Sequence, residues 1–515
     1  MKNQNCSGLL LEQAAAWFSE KNKQYRIPLV SGAVFGLLAY MFAFTNKLIN
    51  HDDVSALFSK GGTHTLGRWG LDILEYIFPN YSMPWIYGII TILLITISAC
   101  VMINVFSIRS KLFQSLLVGS ILTFPSLTGT FTYMFTSSSY AVSFLLAAVA
   151  VWLLVKMDKR TLFPALVCMI GSLSIYQSYV AIAAGLLVLD VFQRLLKEEE
   201  IAPTIRRGIG YVVFLIVSLG LYYGCTMVIN RLLGIGFSSY ASGNLSFSFT
   251  EVPSRILLAY QSFPRFFTEG YRGLMPTALS RLLHTGSLLI SGLLLLLWAI
   301  TGKKLQVSRV FFLIAMLAVL PLAINCMYLF TTEDSVHTLV LYGFVSIYVL
   351  IVILAEAVLE QLSGSKFSQL GVNALSALLA LIIAGNIYLA NEVSLLQHLR
   401  YENAVTFYTG LISDLRSNPD FTQDTKLAIV GNYQEPAFYL EKFPFSDSVT
   451  GTDGFLPDVY SKGQFLEYYL GFPIPMAGEQ EISELSATEE FMKMPVYPYY
   501  GSVKMIGNIL VVKLS

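Results

Sequence analysis

Charged residues are scarce in this chain. They make up 13% of its 515 residues, which is about half of the fraction usual in soluble proteins. The 33 basic and 33 acidic residues cancel, so no basic surplus is present to attract nucleic acid. Hydrophobic residues make up 55% of the chain, and the mean hydropathy is +0.62. This composition excludes an ordinary soluble protein and a nucleic-acid-binding protein, and it indicates a membrane protein.

The sequence also lacks the patterns that hold metals, nucleotides or disulfides. Its cysteines are scattered, mostly inside apolar runs, without the spacing of a disulfide framework or a zinc site. They are Cys6, Cys100, Cys168, Cys225 and Cys326. No glycine-rich phosphate loop and no cytoplasmic Asp-x-Asp cluster indicates a nucleotide-sugar site. We therefore expect no cofactor.

Long apolar runs dominate instead. Eleven of them approach the roughly 20 residues that cross a bilayer. They lie near 27–49, 84–108, 112–130, 138–155, 161–177, 179–194, 208–230, 284–300, 310–330, 337–359 and 368–390. The first run is too long for the apolar core of a cleavable signal peptide. The sequence predicts a polytopic α-helical membrane protein with about eleven spans.

Lysine and arginine cluster on alternate connections between these runs. Because basic residues mark cytoplasmic connections, we expect the N-terminus in the cytoplasm. The loops 50–83 and 231–283 then lie outside, together with residues 391–515. Because the predicted spans cross the bilayer, we expect membrane lipid as a partner.

The composition changes after residue 390. A helical pattern covers 399–415, and strand patterns cover 426–430 and 509–513, with proline- and glycine-rich connections. We therefore divide the chain into a transmembrane catalytic domain, 1–390, and an external C-terminal α/β domain, 391–515. The second is long enough to form its own core.

An ionisable cluster follows the first apolar run directly. Asp52 and Asp53 lie at the end of that run, and Arg68 follows in the same loop. Charge is expensive at this depth, so such a cluster indicates a functional site. A local explanation is also open: the acids can cap a short helix, and Arg68 can pair with Asp72 or Glu75 along a second helix, which we expect over 66–78.

Two further groups of charges lie on predicted external segments. Arg255, Arg265 and Arg272 belong to an aromatic stretch of the loop 231–283. They indicate either an interfacial helix with arginines reaching to water or a wall that binds a lipid-linked phosphate. Glu333, Asp334 and His337 precede the tenth run; they are either a solvated turn or a second part of the site.

Both ends of the chain carry motifs of one known family. NHDD at 50–53 followed by GRW at 67–69 resembles the opening of the bacterial O-antigen-modifying, serotype-converting glucosyltransferases of the Gtr type. MPVYP at 494–498 and GSVK at 501–504 resemble their ending. With a similar series of spans between, the resemblance covers essentially the full length.

The resemblance implies a GT-C-like fold and an activity. Glucose would pass with inversion from undecaprenyl-phosphate-glucose to a sugar hydroxyl of O-antigen lipopolysaccharide. The reaction would take place on the periplasmic face of the bacterial inner membrane. Two alternatives stay open: a transferase that moves another sugar from a lipid-phosphate donor, and a transporter or flippase for lipid-linked sugar. The transporter is disfavoured because no matching pair of Gly/Pro-broken spans indicates inverted repeats.

The same resemblance suggests roles for the residues of the first loop. Asp52 or Asp53 would accept the proton of the acceptor hydroxyl, with Asp53 narrowly preferred, and Arg68 would stabilise the leaving phosphate. The further candidates nearby are Lys60 and His64 for the phosphate, and His51 and Trp69 in secondary roles. An acidic pair also suits Mg²⁺ or Mn²⁺. Because arginine alone can assist a lipid phosphate that leaves, we expect no metal.

Overall fold

A computed structural model describes residues 23–515 except a few short segments. These are 58–62, 237–249, 271, 273, 276, 302–305, 362–364, 423, 445, 453–455 and 457–458. In chain order the helices are α1 Arg26–Thr45, α2 His51–Ala56, α3 Trp69–Leu74, α4 Pro84–Val105, α5 Lys111–Leu122, α6 Pro125–Thr132, α7 Met134–Leu154, α8 Lys159–Ile175, α9 Val180–Leu196, α10 Ile201–Leu233, α11 Val252–Thr268, α12 Ala278–Thr301, α13 Val307–Ile324, α14 Val345–Gln361, α15 Lys366–Ser417, α16 Phe438–Lys442, α17 Val459–Gln464, α18 Glu479–Ser486 and α19 Glu489–Met492. The strands are β1 Lys426–Val430, β2 Val503–Ile506 and β3 Ile509–Lys513.

The protein is a polytopic helical membrane protein. Each apolar run coincides with a helix or with two consecutive helices. Within the described residues, nine helices are long and apolar enough to cross a membrane, or ten if the bent pair α5 and α6 is one span. The remaining matching helix, α8, has 17 residues. The count of eleven spans stays a prediction.

The break between α5 and α6 follows from one proline. Pro125 is the first residue of α6, and Phe124 before it is extended. A proline has no amide hydrogen to donate to the preceding turn, and its ring forces the residue before it out of the helical backbone conformation. The two helices therefore bend by 41°, and α6 ends beside the loop that follows α1.

The first loop is less helical than its apolar pattern predicts. α1 ends at Thr45, short of the predicted residue 49, and the predicted helix over 66–78 is reduced to α3 with a 3₁₀ turn before it. Gly67 separates the two pieces because it has a φ of +75°, a conformation that other residues avoid. Arg68 consequently lies at the N-cap of α3.

The last membrane helix continues without a break into the C-terminal part of the chain. α15 has 52 residues, so the composition change at 390 falls in its middle and the predicted helix over 399–415 is its far end. Ala404, Tyr408 and Leu411 from this end are buried against a small sheet. In that sheet β3 is central, parallel to β1 and antiparallel to β2. We call residues 400–515 the C-terminal unit.

The C-terminal unit packs directly on the loop that follows α1. Ile49 and Val54 belong to its hydrophobic core, together with Phe465 and Leu466. The helix α17 packs on α2, and the ammonium group of Lys47 lies 4.5 Å from the centre of the Tyr469 ring. The loop that follows α1 carries Asp52 and Asp53, and we call it the acid-bearing loop. It is therefore held between the membrane helices and the C-terminal unit.

Candidate active site

Asn50 and Asp53 close a capping box on α2. The Asn50 side-chain oxygen accepts from the amides of Asp52 at 2.9 Å and Asp53 at 3.0 Å. The Asp53 carboxylate accepts from the Asn50 amide at 3.2 Å and from the Ser82 hydroxyl. Asp53 is only 3% exposed. The capping role that the sequence left open is thus what the structure shows for these two residues.

Burial changes the acidity of Asp53. It raises the pKa of this carboxyl to about 7, against the opposing effect of the hydrogen bonds from Ser82 and Asn50. The neighbouring charge of Asp52 raises this pKa further, and that of Lys47 lowers it. Asp53 is therefore a basic carboxylate in a place that a substrate reaches poorly.

Asp52 has the opposite surroundings. Its side chain is 42% exposed, and its carboxylate lies 3.6 Å from Nε2 of His51. Because its amide, and not its carboxylate, serves the cap, the carboxylate projects from the first turn of α2. Asp52 is the accessible acid of the pair.

Arg68 lies in an aromatic setting at the end of the bundle. Its Nη1 donates to the Tyr140 hydroxyl at 3.2 Å, and its guanidinium lies 5.1 Å from the centre of the Tyr176 ring. Those two tyrosines stack with their centres 4.3 Å apart. The indole Nε1 of Trp69 donates to Thr226 of α10 at 3.2 Å. The sequence motif at 67–69 is thereby fixed to α7, α8 and α10.

A second arginine and a histidine lie close to Arg68. His337 is half-buried, and this burial, followed by the positive charges of Arg68 and Arg272, lowers its pKa to about 4. Nη2 of Arg272 also donates to the Glu333 carbonyl at 3.0 Å. We call Arg68, Arg272 and His337 the basic cluster. Its histidine is neutral at pH 7, so its positive charge comes from the arginines.

The other two candidate arginines are paired with acids. Arg255 forms an ion pair of 2.7 Å with Glu251. Arg265 forms pairs of 2.9 Å with Glu269 and 3.4 Å with Glu333. Both lie on α11, but they differ in exposure: the Arg265 side chain is 38% exposed, whereas the Arg255 side chain is 10% exposed and also donates to the Leu329 carbonyl. Their charges are partly neutralised before any phosphate arrives.

Three predicted site groups fall outside the described part of the chain. They are Lys60 and the side chains of His64 and Asp334. Within the described residues, no group of three or more His, Cys, Asp or Glu side chains has the geometry to hold a metal ion.

Thr450 of the C-terminal unit is linked by hydrogen bonds to the acid-bearing loop. Nδ2 of Asn50 donates to the Thr132 carbonyl at 2.7 Å, and the Thr132 hydroxyl donates to the Thr450 carbonyl at 2.8 Å. Gly451 follows with a φ of +87°, and a Cβ atom there would collide with the Thr132 hydroxyl. The loop around Thr450 therefore sits tightly against the end of α6.

The same threonine also contacts the basic cluster. The Thr338 amide donates to the Thr450 hydroxyl at 3.0 Å, and the Thr338 hydroxyl donates to the Arg272 carbonyl at 2.7 Å. The Thr450 hydroxyl lies 3.4 Å from Nδ1 of His337. We call Thr132, Thr338 and Thr450 the threonine bridge, since it joins the acid-bearing loop to the basic cluster. No pattern in the sequence indicates these three threonines.

One end of a polytopic helical bundle thus combines an accessible carboxylate, two arginines and a neutral histidine. Side chains of these types suit proton transfer beside a bound anion. Residues 41–350, more than half of the chain, match the family model described as Glucosyl transferase GtrII. The chain belongs to the GtrII glucosyltransferase family and is a glycosyltransferase. No curated protein and no solved structure matches it.

Proposed function

We propose that this glycosyltransferase moves glucose from undecaprenyl-phosphate-glucose to a sugar hydroxyl of O-antigen lipopolysaccharide, with inversion at the anomeric carbon. The reaction takes place on the periplasmic face of the bacterial inner membrane, with the N-terminus in the cytoplasm and the C-terminal unit in the periplasm. Family membership supports glucose as the sugar that is transferred. The alternation of basic connections supports a reaction on the periplasmic face.

The observation that carries the proposal is the threonine bridge. It brings Asp52, which follows the first membrane helix, within one hydrogen-bonded network of Arg272 and His337, which are more than 200 residues away in sequence. Transfer from a lipid phosphate to a hydroxyl needs a base for the hydroxyl and cations for the phosphate. The network holds the backbone of Asp52 and the backbone of Arg272 at the same end of the bundle, which supports a single site for base and cations.

Asp52 is the base in this mechanism. As the acceptor oxygen attacks the anomeric carbon, its proton passes to the Asp52 carboxylate, and the bond from that carbon to the phosphate oxygen breaks. The new bond forms opposite the old one, which inverts the anomeric configuration. Asp53 holds the loop, because its carboxylate serves the capping box and Ser82.

Arg68 and Arg272 stabilise the departing undecaprenyl phosphate. Guanidinium groups bind phosphate oxygens through paired N–H groups and keep their charge at all relevant pH values. His337 is neutral beside them, so it contributes a hydrogen bond without a further charge. Two arginines provide enough positive charge for a lipid phosphate, and the mechanism uses no metal.

Reconstituted protein tests the proposal directly. Full-length enzyme in proteoliposomes is given radiolabelled undecaprenyl-phosphate-glucose and O-antigen lipopolysaccharide, with the Asp52→Asn variant as control. We expect labelled lipopolysaccharide from the wild type alone, and NMR of the product should show an anomeric configuration opposite to that of the donor. Retention of configuration would exclude the single displacement. Movement of the donor across the bilayer without transfer would instead establish a flippase.

A further inference from the structure

The side chain of Asn230 is buried, and its polar atoms have no hydrogen-bond partner in the part of the chain that the structure describes. It lies in the last turn of α10, it is 5% exposed, and neither its side-chain nitrogen nor its oxygen has a partner within the described residues. An amide buried in this state loses its hydration and gains nothing in return. Unsatisfied groups of this kind are rare in folded proteins and require an explanation.

The position of Asn230 relates it to the active site. Tyr222, Thr226 and Asn230 follow one another at four-residue intervals, so they lie on one face of α10. The Tyr222 hydroxyl donates to the Gly67 carbonyl at 2.9 Å, and Thr226 accepts from the Trp69 indole at 3.2 Å. Asn230 is one turn further along the same face, beyond the contacts that flank Arg68.

We propose that Asn230 and Trp69 form the subsite for the hexose of the lipid-linked donor. This subsite rests on the proposed function, in which Arg68 binds the phosphate attached to that hexose. A side-chain amide offers two donor hydrogens and an acceptor oxygen, which can engage a sugar hydroxyl that both donates and accepts. The half-buried indole offers an apolar face to the C–H groups of the sugar ring. Phosphate and hexose are thus bound by adjoining residues.

The energetics of Asn230 distinguish a ligand-binding amide from a structural one. A structural asparagine is bonded within the protein, and its replacement by leucine leaves its partners unpaired. Among the described residues the Asn230 side chain has no such partner, so Asn230→Leu removes an unsatisfied group and should leave stability unchanged or raise it. If the amide binds the donor, the same substitution weakens sugar recognition. Sugar recognition should therefore fall without a loss of stability.

Kinetics with modified donors test the subsite. Full-length Asn230→Leu in nanodiscs is compared with the wild type for thermal stability and for transfer from polyprenyl-phosphate-linked glucose, galactose and the monodeoxyglucoses. We expect kcat/KM for glucose to fall about 10- to 100-fold, as for a lost hydrogen bond to substrate. The preference for glucose over one of the altered sugars should disappear. The deoxy donor that lacks the contacted hydroxyl should react equally with both proteins.

A buried asparagine elsewhere provides the matched control. Asn386 in α15 also has a buried side-chain nitrogen without a partner in the described structure, and it belongs to none of the contacts of the active site. Asn386→Leu should leave the order of donor preference unchanged. If Asn230→Leu also keeps that order, or if its activity falls only with the amount of folded protein, the subsite is wrong.

Direct binding separates this proposal from the proposed function. Equilibrium binding of radiolabelled polyprenyl-phosphate-glucose is measured with wild type and Asn230→Leu in the absence of acceptor. Weaker binding by the variant supports the subsite even if the wild type transfers no glucose to lipopolysaccharide. Equal binding overturns the subsite whether or not transfer occurs.

Discussion

The two adjacent aspartates after α1 have different surroundings and therefore different expected roles. Asp52→Asn keeps the backbone contacts of the cap but removes the basic carboxylate. We expect normal protein amounts and a loss of glucose transfer of about 100- to 10,000-fold, the range for a missing general base. Asp53→Asn should keep most of the activity, since an amide oxygen can still accept from Ser82. An inactive Asp53→Asn beside an active Asp52→Asn would reverse the assignment.

Arg68 should be far more important for the reaction than for folding. Arg68→Ala removes a hydrogen bond to Tyr140, worth about 1 kcal/mol, and on the proposed mechanism it also removes a cation from the leaving phosphate. We expect a loss of about 100-fold or more in rate, with partial recovery in Arg68→Lys because a point charge replaces the planar fork. The matched control is Arg265→Ala, whose guanidinium is already paired with acids. Equal losses in Arg68→Ala and Arg265→Ala would contradict a specific role for Arg68.

The buried carboxyl of Asp53 should make stability depend on pH. Its pKa is raised in the folded protein from 3.8 to about 7, so the folded state binds this proton more tightly than the unfolded state. The resulting stabilisation is complete below about pH 4 and is lost as the pH rises to about 7. Thermal unfolding in detergent should show this fall for the wild type, and Asp53→Asn should lack it. The same pH profile in both proteins would contradict a buried Asp53 carboxyl with a raised pKa.

The sequence predicted part of this site at the level of single residues. Ionisable groups are conspicuous in an apolar chain, and for this reason Asp52, Asp53, Arg68 and Arg272 were found. Their division into a buried and an accessible acid depends on Ser82 and the capping geometry, which charge patterning does not report. The members of the threonine bridge and Asn230 are uncharged and common residue types, so only tertiary contacts identify them.

The loop around Thr450 should be needed for activity because it supports both halves of the site. Gly451→Ala introduces a Cβ atom that collides with the Thr132 hydroxyl, in addition to strain at positive φ. We expect transfer to fall about 100-fold, since a shift of about 1 Å in a catalytic group has that effect. Gly471→Ala is the control: it has the same backbone strain at a φ of +61° but open space around its Cβ. A similar loss of activity in both variants would show that strain alone is responsible.

Elements were predictable where one physical signal dominates. Apolar length located the nine helices of the described residues that are long and apolar enough to cross a membrane, but it did not show that Gly67 breaks the helix expected over 66–78. Composition also suggested a boundary at 390, where the polar content rises. α15 continues through it because buried residues recur at helical spacing, with Ala390 and Val393 followed by Leu396 and Arg400.

The orientation of the whole molecule can be tested with single cysteines. Tyr500 is fully exposed in the C-terminal unit, and Lys159 is exposed at the opposite end of the bundle. In a background without the native cysteines, Tyr500→Cys should react with an impermeant maleimide in intact spheroplasts. Lys159→Cys should react only after lysis. The reverse pattern would place Asp52 in the cytoplasm and contradict transfer on the periplasmic face.

The unbroken α15 affects how a polymer reaches this enzyme. A helix of 52 residues is about 78 Å long, and one continuous rod resists bending. This helix carries the C-terminal unit, which also packs on Ile49 and Val54. The unit is therefore expected to stay in place and not to open and close. On the proposed function, the polysaccharide is the flexible partner, and it approaches a C-terminal unit whose position is fixed. The density of glucose branches along a chain would then depend on how long each repeat dwells there, rather than on how often the enzyme opens.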